Sequence, residues 1–214
     1  MSRFLCPRIK ICGLTREEDV RAAVNAGADA LGFVFYPPSP RFVDTEKAAA
    51  LARLVPPFVA AVGLFVNAEP ESVRDVLAAV PLHLLQFHGD EDDAYCRQFE
   101  RPYVKAARMK PGFDLLQYAR NFPSAQAILV DAFVEGYGGG GKVFDWSLIP
   151  PALPKPLVLS GGLDVGNVAE AIVRVRPAAV DVSSGVEATK GVKDVAKMFA
   201  FVSAVRAMDC LAAD

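Results

Sequence analysis

The stretch RIKICGLTREEDVRAAVNAGADALGFVFY, residues 8–36, decides the fold of this chain. It begins with the apolar run RIKIC (8–12), continues through a mixed polar and apolar segment, and ends in a second apolar run, ALGFVFY (30–36). Short runs that are almost continuously apolar are typical of strands covered on both faces. The segment between them has the spacing of an amphipathic helix. The stretch therefore predicts a strand–helix–strand unit with parallel strands and a right-handed crossover.

The helix of this unit has a predicted beginning and a predicted end. Thr15 and Glu18 have the Thr-x-x-Glu spacing of a capping box, in which the threonine side chain accepts from a free N–H group of the first turn. Gly27 follows the last helical position and suits the left-handed conformation that ends many helices. We therefore expect Thr15 to cap the helix and Gly27 to close it.

The same unit recurs along the chain and predicts the fold class. Eight strand–helix units closing on themselves make a single (β/α)₈ barrel over residues 1–214, and an open doubly wound sheet is the alternative. No Gly-x-Gly-x-x-Gly motif follows the first run, which counts against a dinucleotide-binding version of that sheet. The crossover before the seventh run is weak, with at most a short helix around residues 145–149. The remaining apolar runs lie at 59–66, 82–87, 102–106, 127–131, 156–160 and 178–183.

Composition excludes several classes of function. The chain has 23 Lys and Arg against 25 Asp and Glu residues, a net charge of −2 that offers no attraction for nucleic acid or an anionic membrane. No apolar run approaches the roughly 20 residues of a transmembrane helix, and the first residues lack the pattern of a secretory signal. We expect a cytoplasmic monomer with four reduced cysteines. Their spacing suggests no zinc site.

Reactive side chains collect where the predicted strands end, which is where barrels of this kind build their active sites. Cys12 is either a buried packing residue or a working thiol. Asp131 is a helix cap, a salt-bridge partner or an acid/base group. Arg41 suits a bidentate grip on a carboxylate or is merely exposed, and His88 orients a substrate or caps the next helix.

Two glycine-containing loops after the seventh and eighth strands predict a phosphate site. They read LSGGLDVGNV (159–168) and VDVSSGV (180–186). Glycines let backbone N–H groups approach an anion, and barrels often bind phosphate at this place. The alternative is that Gly161 and Gly162 only make a tight turn, which the presence of both loops disfavours.

A third glycine-rich segment, GYGGGGKV (136–143), resembles a nucleotide-binding P-loop but lacks its magnesium ligand. Val143 stands where that motif has Ser or Thr. We therefore expect a mobile loop over the mouth of the barrel, with Lys142 near the substrate, and not a nucleotide hydrolase.

Together these motifs resemble the phosphoribosylanthranilate isomerases of tryptophan biosynthesis. The resemblance runs from Lys10 to Asp194 and is carried by KICGLT, GFVFYPPSPRFV, LLQFHGDE, ILVDA, LSGGLDVGNV and VDVSSGVE. It implies a (β/α)₈ barrel that performs an Amadori rearrangement of a phosphosugar–anthranilate substrate without metal or organic cofactor. The implied roles are Cys12 as general base, Asp131 as general acid, Arg41 on the anthranilate carboxylate, Asp181 on a sugar hydroxyl, and Gly161, Gly162, Ser183, Ser184 and Gly185 around the phosphate.

The chemistry of that reaction needs one acid and one base. The acid protonates the leaving ring oxygen, and the base removes the C2′ proton of the resulting imine. Cys12 must then be a thiolate, which requires a pKa below the ordinary value of about 8.5. Lys10 is the hypothetical partner, because residues two apart on a strand share a face. The sequence departs from the family at Gly140, where threonine is usual, which removes a hydroxyl and adds backbone freedom to that loop.

Three other functions compete with this interpretation. The isomerase of the analogous step in histidine biosynthesis would have an aspartate in place of Cys12. A thiol hydrolase using Cys12 and His88 would show acylation by activated esters. A non-catalytic phosphometabolite-binding barrel would keep both glycine loops without needing Cys12 or Asp131.

Overall fold

The computed structural model describes residues 7–132 and 144–210 of the 214-residue chain. The predictions for the segment GYGGGGKV, including Lys142, concern residues outside this part. Cys6 also lies outside it. Within the described ranges no helix is long and apolar enough to cross a membrane.

Eight parallel strands form one closed barrel in sequence order, and β1 pairs with β8 to complete the ring. The predicted (β/α)₈ barrel is therefore confirmed, and the open sheet is wrong. The strands are β1 (Arg8–Cys12), β2 (Ala30–Val34), β3 (Ala60–Phe65), β4 (Leu84–Phe87), β5 (Tyr103–Met109), β6 (Ala127–Ala132), β7 (Leu157–Leu159) and β8 (Ala179–Val182).

Helices cover the outside of the barrel. In the part of the crossover between β6 and β7 that the structure describes, residues 144–156, the 3₁₀ helix Trp146–Leu148 lies within the short helix predicted around 145–149. The α-helices are α1 (Glu17–Ala26), α2 (Thr45–Ala52), α3 (Pro70–Ala79), α4 (Asp93–Arg97), α5 (Leu115–Arg120), α6 (Val168–Val175) and α7 (Val195–Cys210).

Residues 192–208 have the spacing of an amphipathic helix, but the chain after β8 forms a hairpin before its last helix begins. A 3₁₀ helix, Ser184–Val186, is followed by an antiparallel hairpin of β9 (Glu187–Thr189) and β10 (Val192–Lys193). Val192 and Lys193 pair with β9, so α7 begins only at Val195. Because this hairpin of β9 and β10 follows β8, we call it the β8 hairpin.

The predicted cap of α1 is wrong at one end and right at the other. α1 begins after Arg16, which makes no side-chain capping bond. The hydroxyl of Thr15 instead donates to the carbonyl of Gly191, 2.6 Å away, and so ties the loop after β1 to the β8 hairpin. Gly27 closes the helix as predicted, in the left-handed conformation with φ of 95°.

The strand register determines which side chains face into the barrel. Val104, Ala106, Ala127 and Leu129 form a small apolar cluster on the inner face, separate from the larger core between strands and helices. Because successive strand residues alternate between faces, the inner positions of each strand follow from this cluster through the strand pairing. Toward the carboxyl ends most of these inner positions are polar, although those of β2 and β3 are Val34 and Leu64. The polar ones include Lys10, Cys12, Gln86, His88, Asp131, Ser160 and Asp181.

Candidate active site

A buried ion pair lies directly below Cys12 on the inner face. Lys10 Nζ is 2.9 Å from Asp181 Oδ1, and both side chains are less than a tenth exposed. The second oxygen of Asp181 accepts from the hydroxyl of Ser160 at 3.2 Å. Asp181, expected from the resemblance to contact a sugar hydroxyl, thus already has two protein partners.

The thiol of Cys12 is itself almost completely buried, with 4% of its surface exposed. Burial raises its pKa, and the neighbouring ammonium of Lys10 lowers it only in part, so the net shift is upward. This direction is opposite to the one expected for a resting thiolate. Burial would lower the pKa of Lys10, but the carboxylate of Asp181 and the adjacent thiol reverse that effect and raise it. Lys10 therefore keeps a positive charge beside Cys12.

Two glycines give the thiol and its neighbours their space. Gly32 pairs with Cys12 across β1 and β2, and a Cβ atom there would lie 2.7 Å from the Cys12 sulfur. Gly13 has φ of 78°, and a Cβ atom there would lie 2.4 Å from Cδ of Arg41. The Arg41 side chain therefore passes across the backbone that immediately follows Cys12.

Asp131 is the last inward-facing residue of β6, and β6 lies three strands from β1 around the barrel. Its Oδ1 atom accepts from the amide of Ala132 at 2.8 Å, and its Oδ2 atom lies 3.2 Å from Nε2 of His88. His88 Nε2 is at ion-pair distance but not aligned for a hydrogen bond, and it has no other partner within the described ranges. The side chain of Asp131 is 15% exposed and so accessible to a ligand in the barrel mouth.

The other ring nitrogen of His88 determines which tautomer the neutral imidazole adopts. Gln86, on the same inner face two residues earlier, places its amide nitrogen 3.1 Å from His88 Nδ1. An amide nitrogen can only donate, so Nδ1 is the acceptor and the ring proton is on Nε2, facing Asp131. His88 is therefore placed against the candidate acid and does not cap α4, whose first turn is capped by Asp92.

The loop that carries His88 is held by a second buried ion pair. Lys105 Nζ lies 2.7 Å from Glu91 and also donates to the carbonyl of Gly89 at 2.6 Å. Glu91 in turn accepts from the amides of Asn67 and Gly89, at 2.7 and 2.9 Å. Lys105 and Glu91 were not among the residues predicted from the sequence. The signal available was a lysine inside the apolar run at 102–106, since buried charges occur mostly as pairs.

Arg41 is buried and paired within the protein. Its Nε and Nη2 atoms donate to the two oxygens of Glu187 at 2.7 and 2.8 Å, a bidentate pair with both side chains less than a tenth exposed. Lys193 contacts the same carboxylate at 2.9 Å. Neither Glu187 nor Lys193 was singled out from the sequence, because a polar loop after β8 carries no pattern that separates them from surface charges.

The two predicted phosphate loops lie side by side. A Cβ atom on Gly185 would lie 1.9 Å from the carbonyl oxygen of Leu163, so the loop after β8 touches the loop after β7. Gly161 and Gly162 both have positive φ, 84° and 66°. Across residues 7–132 and 144–210, the N–H groups of Gly161, Gly162, Ser184 and Gly185 bond to no backbone acceptor.

Ser183 differs from the other predicted phosphate residues because its hydroxyl already has a partner. It donates to the carbonyl oxygen of Cys12 at 3.0 Å. Free amides beside a short helix after β8 are the usual phosphate-binding arrangement of this fold. Among the described residues, no group of three or more His, Cys, Asp or Glu side chains is placed to hold a metal ion.

Comparison with known proteins identifies the family. The family model described as N-(5′phosphoribosyl)anthranilate (PRA) isomerase matches residues 9–204. A protein of Dechloromonas aromatica (strain RCB) named N-(5′-phosphoribosyl)anthranilate isomerase is 67% identical over 202 residues, which cover 94% of this chain and 97% of that protein. The protein of the same name from Pseudomonas paraeruginosa (strain DSM 24068 / PA7) is 59% identical over 200 residues, covering 93% and 95%.

Two crystal structures agree with these relatives. Phosphoribosyl anthranilate isomerase from Thermotoga maritima is 45% identical with a TM-score of 0.87, covering 94% of this chain and 99% of that chain. A phosphoribosyl anthranilate isomerase in complex with reduced 1-(o-carboxyphenylamino)-1-deoxyribulose 5-phosphate is 42% identical with a TM-score of 0.82 and the same coverage. The chain therefore belongs to the family of N-(5′-phosphoribosyl)anthranilate isomerases.

Proposed function

We propose that this chain isomerises N-(5′-phosphoribosyl)anthranilate to 1-(2-carboxyphenylamino)-1-deoxyribulose 5-phosphate, a step of tryptophan biosynthesis, with Asp131 as general acid and Cys12 as general base. The observation that carries the proposal is that both side chains come from inner positions at the carboxyl ends of strands three apart in one barrel. A substrate held between them meets the acid and the base from different sides. The family relatives support the same substrate.

The reaction moves protons and needs no external oxidant or reductant. Asp131 gives a proton to the furanose ring oxygen while the nitrogen lone pair expels it, which opens the ring to an imine. Cys12, as thiolate, removes the proton from C2′, and the electron pair passes into the imine to form an enolamine. Protonation of the enolamine at C1′, with loss of the proton of the C2′ hydroxyl, gives the ketone. The two protons supplied equal the two removed, so the product has the same composition as the substrate.

The charges around Cys12 support its ionisation in the free enzyme. Lys10, Lys193 and Arg41 supply three positive charges, while Asp181 and Glu187 supply two negative ones. A thiolate at Cys12 would add a third negative charge and make this buried cluster neutral. Burial nevertheless keeps the pKa of the free thiol high, so the pH dependence of the rate should show its titration on the alkaline side of the ordinary value.

Substrate binding uses the two ends of the molecule. The N–H groups of Gly161, Gly162, Ser184 and Gly185 would hold the phosphate, and Arg41 would hold the anthranilate carboxylate. His88 would orient Asp131 and the sugar, and Asp181 would act on the sugar through its neighbours Lys10 and Ser160.

The fall in fluorescence as the anthranilate substrate is consumed tests this function. We expect wild type to turn over, and Cys12→Ala and Asp131→Asn each to lose about 10²–10⁴-fold in kcat with the fold retained. Cys96→Ala is the matched control, because Cys96 is a fully buried core thiol on α4. Full activity in Cys12→Ala would contradict the mechanism.

The same assay separates the competing functions. A parallel measurement with the aminoaldose of histidine biosynthesis shows whether a second substrate is accepted, and activated esters detect acyl transfer. A barrel that binds without turning over would overturn the proposal. The monomeric state and the cytoplasmic location stay predictions, which light scattering and cell fractionation would check.

A further inference from the structure

The β8 hairpin contributes two buried charges that the reaction itself does not use. Glu187 and Lys193 are 7% and 3% exposed. Burying such groups is costly unless each is paired, and here they pair with each other and with Arg41. Their position beside a candidate substrate-binding arginine raises the question of what they do for it.

Glu187 occupies one specific edge of the Arg41 guanidinium. A guanidinium offers a side edge, formed by Nε and Nη2, and an end edge, formed by Nη1 and the second N–H of Nη2. Glu187 takes the side edge with bonds of 2.7 and 2.8 Å. Within the described ranges Nη1 has no protein acceptor. The end edge is thus the one available to an anion.

Arg41 is held in this orientation from two directions. Its aliphatic part lies against Gly13, where a Cβ atom would approach Cδ to 2.4 Å. Its side edge is anchored by a carboxylate that stays ionised, because the hydrogen bonds from Arg41 and the charge of Lys193 outweigh burial and lower the pKa of Glu187. The guanidinium therefore needs little reorganisation to receive a ligand on its end edge.

Lys193 links this anchor to the base and to a phosphate loop. Its Nζ atom lies 2.9 Å from Glu187 Oε1 and 3.0 Å from the carbonyl oxygen of Ser183. The Ser183 hydroxyl then donates to the carbonyl of Cys12 at 3.0 Å. The ammonium thus bonds directly to Ser183 and Glu187 after β8. These two residues in turn bond to Cys12 at the end of β1 and to Arg41 after β2.

We propose that Glu187 and Lys193 are positioning residues that present the end edge of Arg41 to the carboxylate of the substrate. The β8 hairpin thereby makes the enzyme selective for an aminosugar whose aromatic ring carries an ortho-carboxylate. This inference rests on the proposed function and concerns how the same site selects its substrate.

Two ligands that differ only in the carboxylate test this role. They are the reduced product analogue 1-(2-carboxyphenylamino)-1-deoxyribitol 5-phosphate and the corresponding phenylamino compound without the carboxyl group. Calorimetry gives the Kd of each for wild type, Glu187→Gln and Lys193→Met. Each variant should weaken binding of the carboxylated ligand by about tenfold or more, as expected for losing one well-aligned charged pair, and leave the other ligand within about twofold.

Three further variants make the result interpretable. Arg41→Gln shows how much of the preference for the carboxylated ligand is lost when the guanidinium is removed. Lys193→Arg keeps the charge and should restore most of the preference lost in Lys193→Met. Asp29→Asn breaks a partly buried pair with Arg206 at the opposite end of the barrel, so it controls for general loss of stability. The ratio of its Kd values for the two ligands should equal that of wild type.

The outcomes separate this inference from the proposed function. If wild type fails to turn over phosphoribosylanthranilate, the proposed function is wrong. If wild type is active but Glu187→Gln and Lys193→Met weaken both ligands equally, the hairpin is only structural and the inference is overturned. It is also overturned if folded wild type binds both ligands with the same affinity.

Discussion

His88 Nε2 lies 3.2 Å from Asp131 Oδ2, although the two residues belong to β-strand ends separated by β5. The imidazole proton faces the carboxyl group because Gln86 occupies the other ring nitrogen. Catalytic hydrogen bonds are often poorly aligned without substrate and tighten in the complex.

Removing the Gln86 amide should therefore reduce catalysis without removing either reacting group. In Gln86→Leu the imidazole can adopt the other tautomer, which places a lone pair against Asp131. We expect kcat to fall roughly tenfold with KM little changed, because orientation of the acid is lost while substrate contacts remain. Gln86→Glu is the comparison, because its carboxylate can still hold the His88 ring by accepting a hydrogen bond from a protonated Nδ1. A rise in KM as large as the fall in kcat would contradict a role confined to orienting Asp131.

Gly32→Ala should displace the thiol. A Cβ atom at this position would lie 2.7 Å from the Cys12 sulfur and 3.1 Å from its Cα atom, so the side chain must move. Even a displacement of about 1 Å from the productive geometry can cost about 10²-fold in rate. Steady-state kinetics should show the loss mainly in kcat. Thermal unfolding shows whether the fold is retained, and an unchanged kcat in a folded variant would contradict the prediction.

Gly185→Ala should damage the phosphate site. The added methyl group would meet the carbonyl oxygen of Leu163 at 1.9 Å, a backbone atom that cannot rotate away. The two loops must separate, and we expect inorganic phosphate to inhibit at least about tenfold more weakly than in wild type. Gly166→Ala is the matched control, since its nearest contact is 3.3 Å, to a side-chain oxygen of Asp164. Similar inhibition constants for inorganic phosphate in both variants would contradict the expected separation of the two loops.

Lys10→Met should raise the pKa of Cys12 further. The ammonium is the main influence that lowers this pKa against burial, so its loss leaves burial opposed only by the charge of Lys193. Alkylation of the thiol, followed against pH, should shift its midpoint upward, and kcat at neutral pH should fall with it. Cys96, whose own pKa is raised by burial to about 12, reports any general change in the protein. An unchanged midpoint would remove Lys10 from this role.

Asp29→Asn should change how stability depends on acid. Burial alone would raise the pKa of Asp29, but the amide of Ile9 and the cations Arg8 and Arg206 hold it below its ordinary value. Such a group stabilises the fold above its ordinary pKa of about 3.9 and loses that contribution as pH falls through the lower folded value. The variant should be less stable by roughly 1–3 kcal/mol at pH 7. Urea unfolding should show this difference narrowing below about pH 4.

The fold was predictable because its signal repeats. Each strand is an apolar run and each helix an amphipathic segment, so errors at single boundaries did not change the topology. Thr15 shows where local patterns fail: its capping spacing is correct, but a tertiary bond to Gly191 takes its hydroxyl. Val192 and Lys193 likewise have a helical pattern and form a strand because β9 lies beside them.

The candidate site was predictable only in its strand-end residues. Position in a barrel made Cys12 and Asp131 candidates, and the family resemblance supplied the roles predicted for them. Glu187 and Lys193 could not be named, since their importance comes from contacts with Arg41, 146 residues away along the chain for Glu187. The direction of the Cys12 pKa shift was also missed, because it depends on how deeply the thiol is buried.

Closure of the barrel between β1 and β8 also sets the order in which this site is completed during synthesis. Lys10 and Cys12 are translated 171 residues before the residues that bond to them, since Lys10 pairs with Asp181 and the Cys12 carbonyl accepts from Ser183. Chains fold from the amino terminus as they are made. A nascent chain that ends before β8 therefore contains Cys12 and Asp131 but lacks Asp181 and Ser183. Cys12 then has Lys10 beside it without the carboxylate that pairs with Lys10 in the closed barrel.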